Sequence, residues 1–209
     1  MGIGAISDLV IKRLPRYYRF LGELKLSGKT RISSRELSER MGLTASQIRQ
    51  DLNCFGGFGQ QGYGYNIDIL QAEIGKILGL DIPKNTILIG MGNLGKTLAL
   101  HIDFESKGYR IIGLFDSKES LVGQIVKNLP IRSTQTLDEF CRENSPEVAI
   151  LCIPKSAAKD VSDQLIKLGI KGFLNFSHYD ISMESPDVKV ENIHFSDGLM
   201  TLSYKLKHD

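Results

Sequence analysis

The amino-acid sequence predicts an α/β protein of two domains, a helix-turn-helix of winged-helix type followed by a doubly wound parallel sheet. Three observations predict it. Residues 32–55 read as helix, glycine turn and helix, and run directly into the segment GGFGQQGYGY at 56–65. Residues 86–116 read as strand, G-x-G-x-x-G, helix, strand and Asp. Helix-sized and strand-sized apolar patterns then alternate as far as residue 176, the rhythm of a parallel sheet.

Composition sets the frame. A chain of 209 residues suits one large domain or two modest ones, each burying its own core. With 42% hydrophobic and 24% charged residues it has ordinary globular composition. Its longest apolar runs are strand-sized, far short of the roughly 20 residues a membrane span needs. The N-terminus carries no apolar leader with a small-residue cleavage site, so a cytoplasmic location is expected. Cys54, Cys141 and Cys152 share no metal-ligand spacing, and reduced thiols without a metal site are expected. Charge is uneven: residues 1–80 hold 11 Lys/Arg against 7 Asp/Glu, and residues 81–209 hold 15 against 17. A basic front half on a slightly acidic back half fits an anionic partner for the front half.

The apolar positions of Ile6 to Leu26 have mostly helical spacing. Asp8 is placed to cap this segment, Pro15 implies a break or a fresh first turn, and Gly28 ends it. Ser33 or Ser34 caps a short second helix, with Glu36 in reach for a capping interaction and Gly42 as its C-terminal glycine. Thr44 opens a third helix, TASQIRQDLNCF, with Ile48, Leu52 and Phe55 on one face. Its polar faces carry Ser46, Gln47, Arg49, Gln50 and Asn53. Arg can pair with guanine O6/N7, and Gln or Asn with adenine N6/N7, so these are the candidate base readers. Lys12, Arg13 and Arg31 are the candidate phosphate contacts. The glycines of 56–65 suit a tight hairpin, the wing, with Gln60 and Gln61 at its centre. Ile67 to Leu80 is one more amphipathic helix, and Gly79 to Lys84 is the domain junction.

Thr86 to Ile89 is a buried strand followed by Gly90-Met91-Gly92-Asn93-Leu94-Gly95 and a helical pattern. Here the Rossmann fingerprint stands in its required context. The first glycine permits the turn, the second admits a pyrophosphate, and the third packs helix on strand. The phosphates would sit on the helix N-terminus, where free N–H groups favour anions. A second strand ends in Asp116, about 20 residues on, where the adenosine ribose hydroxyls are expected. That carboxylate would repel a 2′-phosphate and favours NAD(H), although Lys118 lies nearby. Leu137 to Glu143 and Ala157 to Leu168 read as helices, and Val148 to Ile153 and Gly172 to Phe176 as strands. Ile153, Pro154 and Asn175 fall at strand carboxyl ends, where the crevice of such a sheet lies. No catalytic set emerges: His101 and His178 have no evident partner. Only residues 177–209 follow the last strand, so a cofactor site without a substrate domain is expected.

Taken together, LPRYYRF (14–20), ISSRELSERMGLTASQIRQDL (32–52), FGGFGQQGYGYN (55–66), IGMGNLG (89–95), GIKGFLNFS (169–177) and LMTLSY (199–204) resemble the Rex redox-sensing repressors. The resemblance implies a homodimer on a palindromic operator, released when NADH binds, with a C-terminal helix swapped between subunits. It also implies that Phe195 enters the partner's nicotinamide pocket. It divides the chain into a DNA-binding domain (1–80), an NAD(H)-binding domain (81–195) and a dimerisation helix (196–209). Four departures stand out. Where the family has Lys after the recognition-helix Arg this chain has Gln50, and where its wing has a basic pair this chain has Gln60 and Gln61. His101 replaces a Tyr and His194 an Asp. Fewer cations imply weaker phosphate attraction and an altered operator. The two histidines suggest a pH-dependent meeting in the closed dimer. The rival reading is a small NAD-dependent oxidoreductase with a helical N-terminal interaction domain.

Overall fold

The computed structural model describes residues 6–56, 58 and 63–208. The chain divides into two compact units, Met1–Ile82 and Pro83–Asp209.

In the first unit, α1 (Asp8–Leu26) is one continuous helix. The break expected at Pro15 does not occur. Pro15 is exposed, while Val10, Leu14, Tyr17, Leu21 and Leu24 form one buried stripe. Burying a large apolar side chain stabilises by about 1.5–3 kcal/mol. An interior proline costs roughly 3 kcal/mol, so the stripe prevails. Asp8 is the first helical residue and Ser7 occupies the cap position, without a side-chain cap bond. The helix closes as expected: Lys29 N donates to Leu24 O and Gly28 N to Lys25 O, with Gly28 at φ +78.

After β1 (Arg31–Ile32), α2 (Ser34–Met41) opens on a complete capping box. The Glu36 N–H donates to Ser33 Oγ (3.1 Å), and Glu36 Oε2 accepts from Ser33 N (2.9 Å). Gly42 ends it at φ +64. Thr44 caps α3 (Ala45–Asn53) by accepting from Gln47 N. The ends of β2 (Tyr65–Asn66) and β1 pair antiparallel, Ile32 opposite Tyr65. A hairpin closed within 56–65 is therefore not what forms the described stem. Of the expected wing, Gly57 and residues 59–62 lie outside the described residues, and Tyr65 at its end pairs with a segment ahead of α2. Gly64 is required there, because at φ +68 a Cβ would stand 2.6 Å from Ile32 O. With α4 (Ile67–Ile77), these elements enclose one core around Leu14, Tyr17, Leu37, Ile48, Ile67 and Ile74.

The second unit is built on seven strands: β3 (Lys84–Ile89), β4 (Tyr109–Asp116), β5 (Ile125–Val126), β6 (Leu129–Ser133), β7 (Val148–Leu151), β8 (Gly172–Asn175) and β9 (Lys189–Asn192). Their order is β5-β6-β4-β3-β7-β8-β9, parallel except for β5 against β6. The helices are α5 (Asn93–His101), α6 (Leu137–Asn144), α7 (Lys155–Lys167), the single turn α8 (Ile181–Glu184) and α9 (Phe195–His208). Two apolar layers flank the sheet. One is built on Ile87, Ile89, Phe115, Phe140 and Leu165, the other on Leu88, Met91, Leu114 and Ile150. No residue of α9 is buried.

The capping box carries a pH signature. Lys29 first, then the N–H and hydroxyl of Ser33, draw the Glu36 carboxyl down from 4.5 to about 2. A carboxyl lowered by folding contributes fully above its ordinary value, and the contribution is lost as pH falls through the folded value. Glu36→Gln is expected to remove a component of stability that fades between pH 4.5 and 2. Ser33→Ala is expected to cost about 1 kcal/mol. Urea midpoints across that range check both.

Candidate functional site

Helix α3 presents Ser46, Arg49, Gln50 and Asn53 as one exposed stripe at i, i+3, i+4 and i+7. Ile48 and Leu52 are buried on the opposite side and fix which way the stripe faces. Arg49 is steadied by Ser34 Oγ, 3.1 Å from its Nη1. Lys12 is exposed on α1. Arg31 is exposed on β1 and donates to Tyr63 O (3.2 Å). Gln60 and Gln61 lie outside the described residues.

Arg13 needs correction as a phosphate contact. Its Nε and Nη2 each donate to Asp51, both at 2.7 Å, a bidentate pair turned into the domain. Asp51 is fully buried on α3 and also accepts from Tyr17 OH (2.8 Å) and Gln47 Nε2 (2.9 Å). Burial alone would raise its carboxyl, but bonds from Arg13, Gln47 and Tyr17 outweigh burial and hold it below the ordinary value. The sequence reading missed Asp51. The signal was its place on the inward side of α3 between Ile48 and Leu52, where a carboxylate demands a cation and donors.

In the second unit the strand order reverses between β3 and β7, the switch point where ligands bind beyond the carboxyl ends of the strands. The glycine loop sits there. Gly90 has φ +95, and a Cβ on it would meet Cys152 O at 2.4 Å and Ile153 Cγ2 at 2.8 Å. A Cβ on Gly95 would lie 1.9 Å from Gly90 O. Gly92 differs, since nothing of the protein lies within 4 Å of its Cβ position. The loop thus excludes side chains at its two ends and is open in its middle. Asn93, Leu94 and Gly95 form the first turn of α5, whose N–H groups have no intrahelical acceptor. The first intrahelical bond runs from Lys96 N to Gly92 O. An open glycine before an unsatisfied helix N-terminus fits a pyrophosphate.

Asp116 stands at the end of β4, as expected, and already braces the loop. Its Oδ2 accepts from Met91 N (2.6 Å) and its Oδ1 from Lys118 N (2.8 Å). A carboxylate has about four acceptor positions, so two remain for ribose hydroxyls. Met91 needs correction: its side chain is buried in the core and its N–H belongs to Asp116. The Lys118 side chain and Pro154 are exposed, and Ile153 lies against the loop.

Asn175 needs correction too. Its Nδ2 donates to Tyr179 O and Asn192 Oδ1, and its Oδ1 accepts from Ser177 N and Oγ. All four bonds an amide ordinarily makes are used inside the fold, at 0% exposure. Asn175 ties β8 to β9, and its side-chain amide keeps no hydrogen bond for a ligand.

Phe195, 67% exposed, opens α9 and stacks on Phe176 at 6.4 Å. His194 Nδ1 lies 2.8 Å from His178 Nδ1. His178, at φ +59, thus has a partner the sequence did not reveal. The pair joins the turn after β8 to the start of α9, while His101 is exposed at the end of α5. Burial pushes the Cys141 thiol up to about 11 and that of Cys152 to about 12, so neither is a nucleophile at neutral pH. Among the described residues no group of three or more His, Cys, Asp or Glu could hold a metal ion. Among the described residues no helix is long and apolar enough to cross a membrane.

These features define a class: a helix-turn-helix protein carrying a Rossmann domain with a dinucleotide-type phosphate loop. Residues 5–53 match the family described as "Putative DNA-binding protein N-terminus", and residues 81–179 match "CoA binding domain". The chain is 50% identical over 204 residues to the redox-sensing transcriptional repressor Rex of Thermoanaerobacter sp. (strain X514), covering 98% of this chain and 91% of that one. It is 48% identical over 207 residues to Rex of Clostridioides difficile (strain 630), covering 99% and 98%. A crystal structure of RSP in complex with beta-NAD+ and operator DNA matches with TM-score 0.90 and 49% identity, over 98% of this chain and 94% of that one. RSP in complex with beta-NADH matches with TM-score 0.89 and 46% identity, over 98% and 96%. The chain belongs to the Rex family of redox-sensing transcriptional repressors. Its relatives are repressors by name, which sets aside the oxidoreductase reading.

The loop makes a sharp demand. Gly95→Ala drives a methyl into backbone that cannot give way, and overpacking of this kind costs about 1–3 kcal/mol or more. The expected result is a lowered urea midpoint for the second unit with loss of dinucleotide binding, read by fluorescence of bound NADH.

Proposed function

We propose that this chain is a DNA-binding transcriptional repressor that senses the NADH/NAD+ balance and releases its operator when NADH binds. The observation that carries this reading is likeness over nearly the whole chain to RSP, a Rex-family repressor seen both with NAD+ on operator DNA and with NADH. The chain's own geometry supports it, with an exposed polar stripe on α3 and an open phosphate loop at the sheet's switch point.

Residues 1–80 read DNA, 81–195 hold the dinucleotide and 196–209 dimerise. Ser46, Gln47, Arg49, Gln50 and Asn53 face bases, and Lys12 and Arg31 face phosphates. The loop from Gly90 to Gly95 holds the pyrophosphate through the first turn of α5, Asp116 takes the ribose, and Ile153 and Pro154 border the site. Phe195 reaches the nicotinamide end in the partner subunit. A homodimer supplies what α9 lacks: its Phe195, Leu199, Leu202 and Leu206 are exposed at helical spacing. The sheet offers an apolar groove of about 470 Å³ lined by Phe104, Tyr109, Ile150, Leu174 and Val190. A regulator of operator DNA works in the cytoplasm.

The mechanism is a shift between two arrangements of the dimer. NADH acts only to the extent that it binds the DNA-free arrangement better than the DNA-bound one. By the same linkage, operator weakens NADH by the same factor.

A gel shift on the chain's own upstream DNA tests this. The complex is expected to persist with NAD+ and dissolve with NADH. Gly92→Val, whose Cβ has no protein atom within 4 Å, is expected to keep DNA binding and lose the response to NADH. Simultaneous occupancy of the wild-type dimer by NADH and operator, with neither loosening the other, overturns the reading.

A further inference from the structure

Asp51 is buried away from any outside partner, yet it touches Gln47, a residue placed to meet DNA. The carboxylate is fully buried and each oxygen accepts two hydrogen bonds: Oδ1 from Arg13 Nη2 and Gln47 Nε2, Oδ2 from Arg13 Nε and Tyr17 OH. Arg13 and Tyr17 lie one turn apart on α1, so they clamp the carboxylate from one side. Its remaining bond goes back along α3 to Gln47, one turn earlier and half-buried beside the exposed stripe.

A glutamine amide can turn over about its last bond and exchange donor for acceptor, and on most surfaces both orientations are open to it. Here they are not equivalent. With Nε2 toward Asp51, an N–H donates to a charged acceptor, among the stronger hydrogen bonds. Turned over, the Gln47 carbonyl oxygen would face a carboxylate oxygen at about the same separation and repel it. The permitted orientation leaves Oε1 and one N–H for an outside partner, in a fixed left-to-right order. Adenine offers N6–H as donor and N7 as acceptor to such a pair, whereas guanine offers two acceptors.

We propose that Asp51 is the positioning residue for sequence recognition: by pinning the Gln47 amide it sets the donor–acceptor order that one base pair of the operator meets. Arg13 and Tyr17 serve the same purpose one step back, holding the carboxylate that holds the amide. The inference rests on the DNA-binding reading above and adds to it which residue fixes the readout.

The test uses the full-length protein and the duplex that the wild-type chain selects from a random-sequence pool, with every single-base-pair variant of that duplex. Gln47→Ala identifies the base pair Gln47 reads, as the position where discrimination is lost. Asp51→Asn, which frees the amide, is expected to reduce discrimination at that same pair by about 5- to 100-fold, the range of one bidentate contact. Ratios at the other positions are expected to stay within about twofold. A uniform loss at all positions means Asp51 only supports the fold, and overturns the proposal. So does a Gln47→Ala variant whose base preferences equal the wild type's. A wild-type chain that selects no duplex fails the DNA-binding reading itself, and the proposal with it. A measurement on the intact wild-type protein guards against an unfolded variant. The ¹⁵N order parameter of the Gln47 side-chain amide is expected near the rigid value of about 0.85, and a value below about 0.6 overturns the proposal.

Discussion

The second unit depends on one backbone approach. At the start of α5 the chain passes so near Gly90 that a Cβ on Gly95 would sit 1.9 Å from the Gly90 carbonyl oxygen. This brings the helix N-terminus down onto the carboxyl ends of β3 and β7, where the strand order reverses. Phosphate recognition needs unsatisfied N–H groups at a place where the sheet opens, and the glycine contact puts them there. Asp116 secures the arrangement from the neighbouring strand by accepting the Met91 N–H. The residue expected to recognise a ribose thus also maintains the loop beside it.

The first unit solves a different problem with a different interaction. Its recognition helix is short, with only Ile48, Asp51 and Leu52 buried, and apolar packing of so few residues leaves rotation about the helix axis weakly defined. The carboxylate of Asp51, gripped bidentately by Arg13 and capped by Tyr17, supplies a directional constraint that dispersion contacts cannot. Taking a charge out of water is costly unless every acceptor position is met, and here each oxygen has two donors.

Most of the architecture was legible because its signals are local. Capping residues Ser33 and Thr44, the αL glycine at 42 and the strand before Gly90 each act through neighbours in sequence, and the carboxylate at 116 is found by its fixed spacing from the glycines. What escaped notice depends on partners far along the chain. The β5–β6 hairpin turns on Lys127 and Asn128 at φ +47 and +70, a conformation that usually announces itself with glycine. Strand β9 is exposed at alternate positions and carries too little apolar pattern to be read. Pro15 looked like a break because local chemistry says so, and a buried stripe five residues strong decided otherwise. In the sites two errors share one cause, a partner inside the fold: Arg13 is committed to the buried Asp51 carboxylate, and Asn175 spends all four of its amide hydrogen bonds within the domain. The link between His178 and His194 spans 16 positions and no motif foretells it.

The C-terminal helix has a thermodynamic corollary. None of its residues is buried within its own chain, and its leucines line one side. In the proposed homodimer the free energy of covering them is released only when two copies meet, so the order of this segment is governed by mass action rather than by intramolecular folding. Protomer abundance then becomes a second variable in the regulatory circuit: a cell that makes little of this protein lowers the population of paired subunits on which both ligands act.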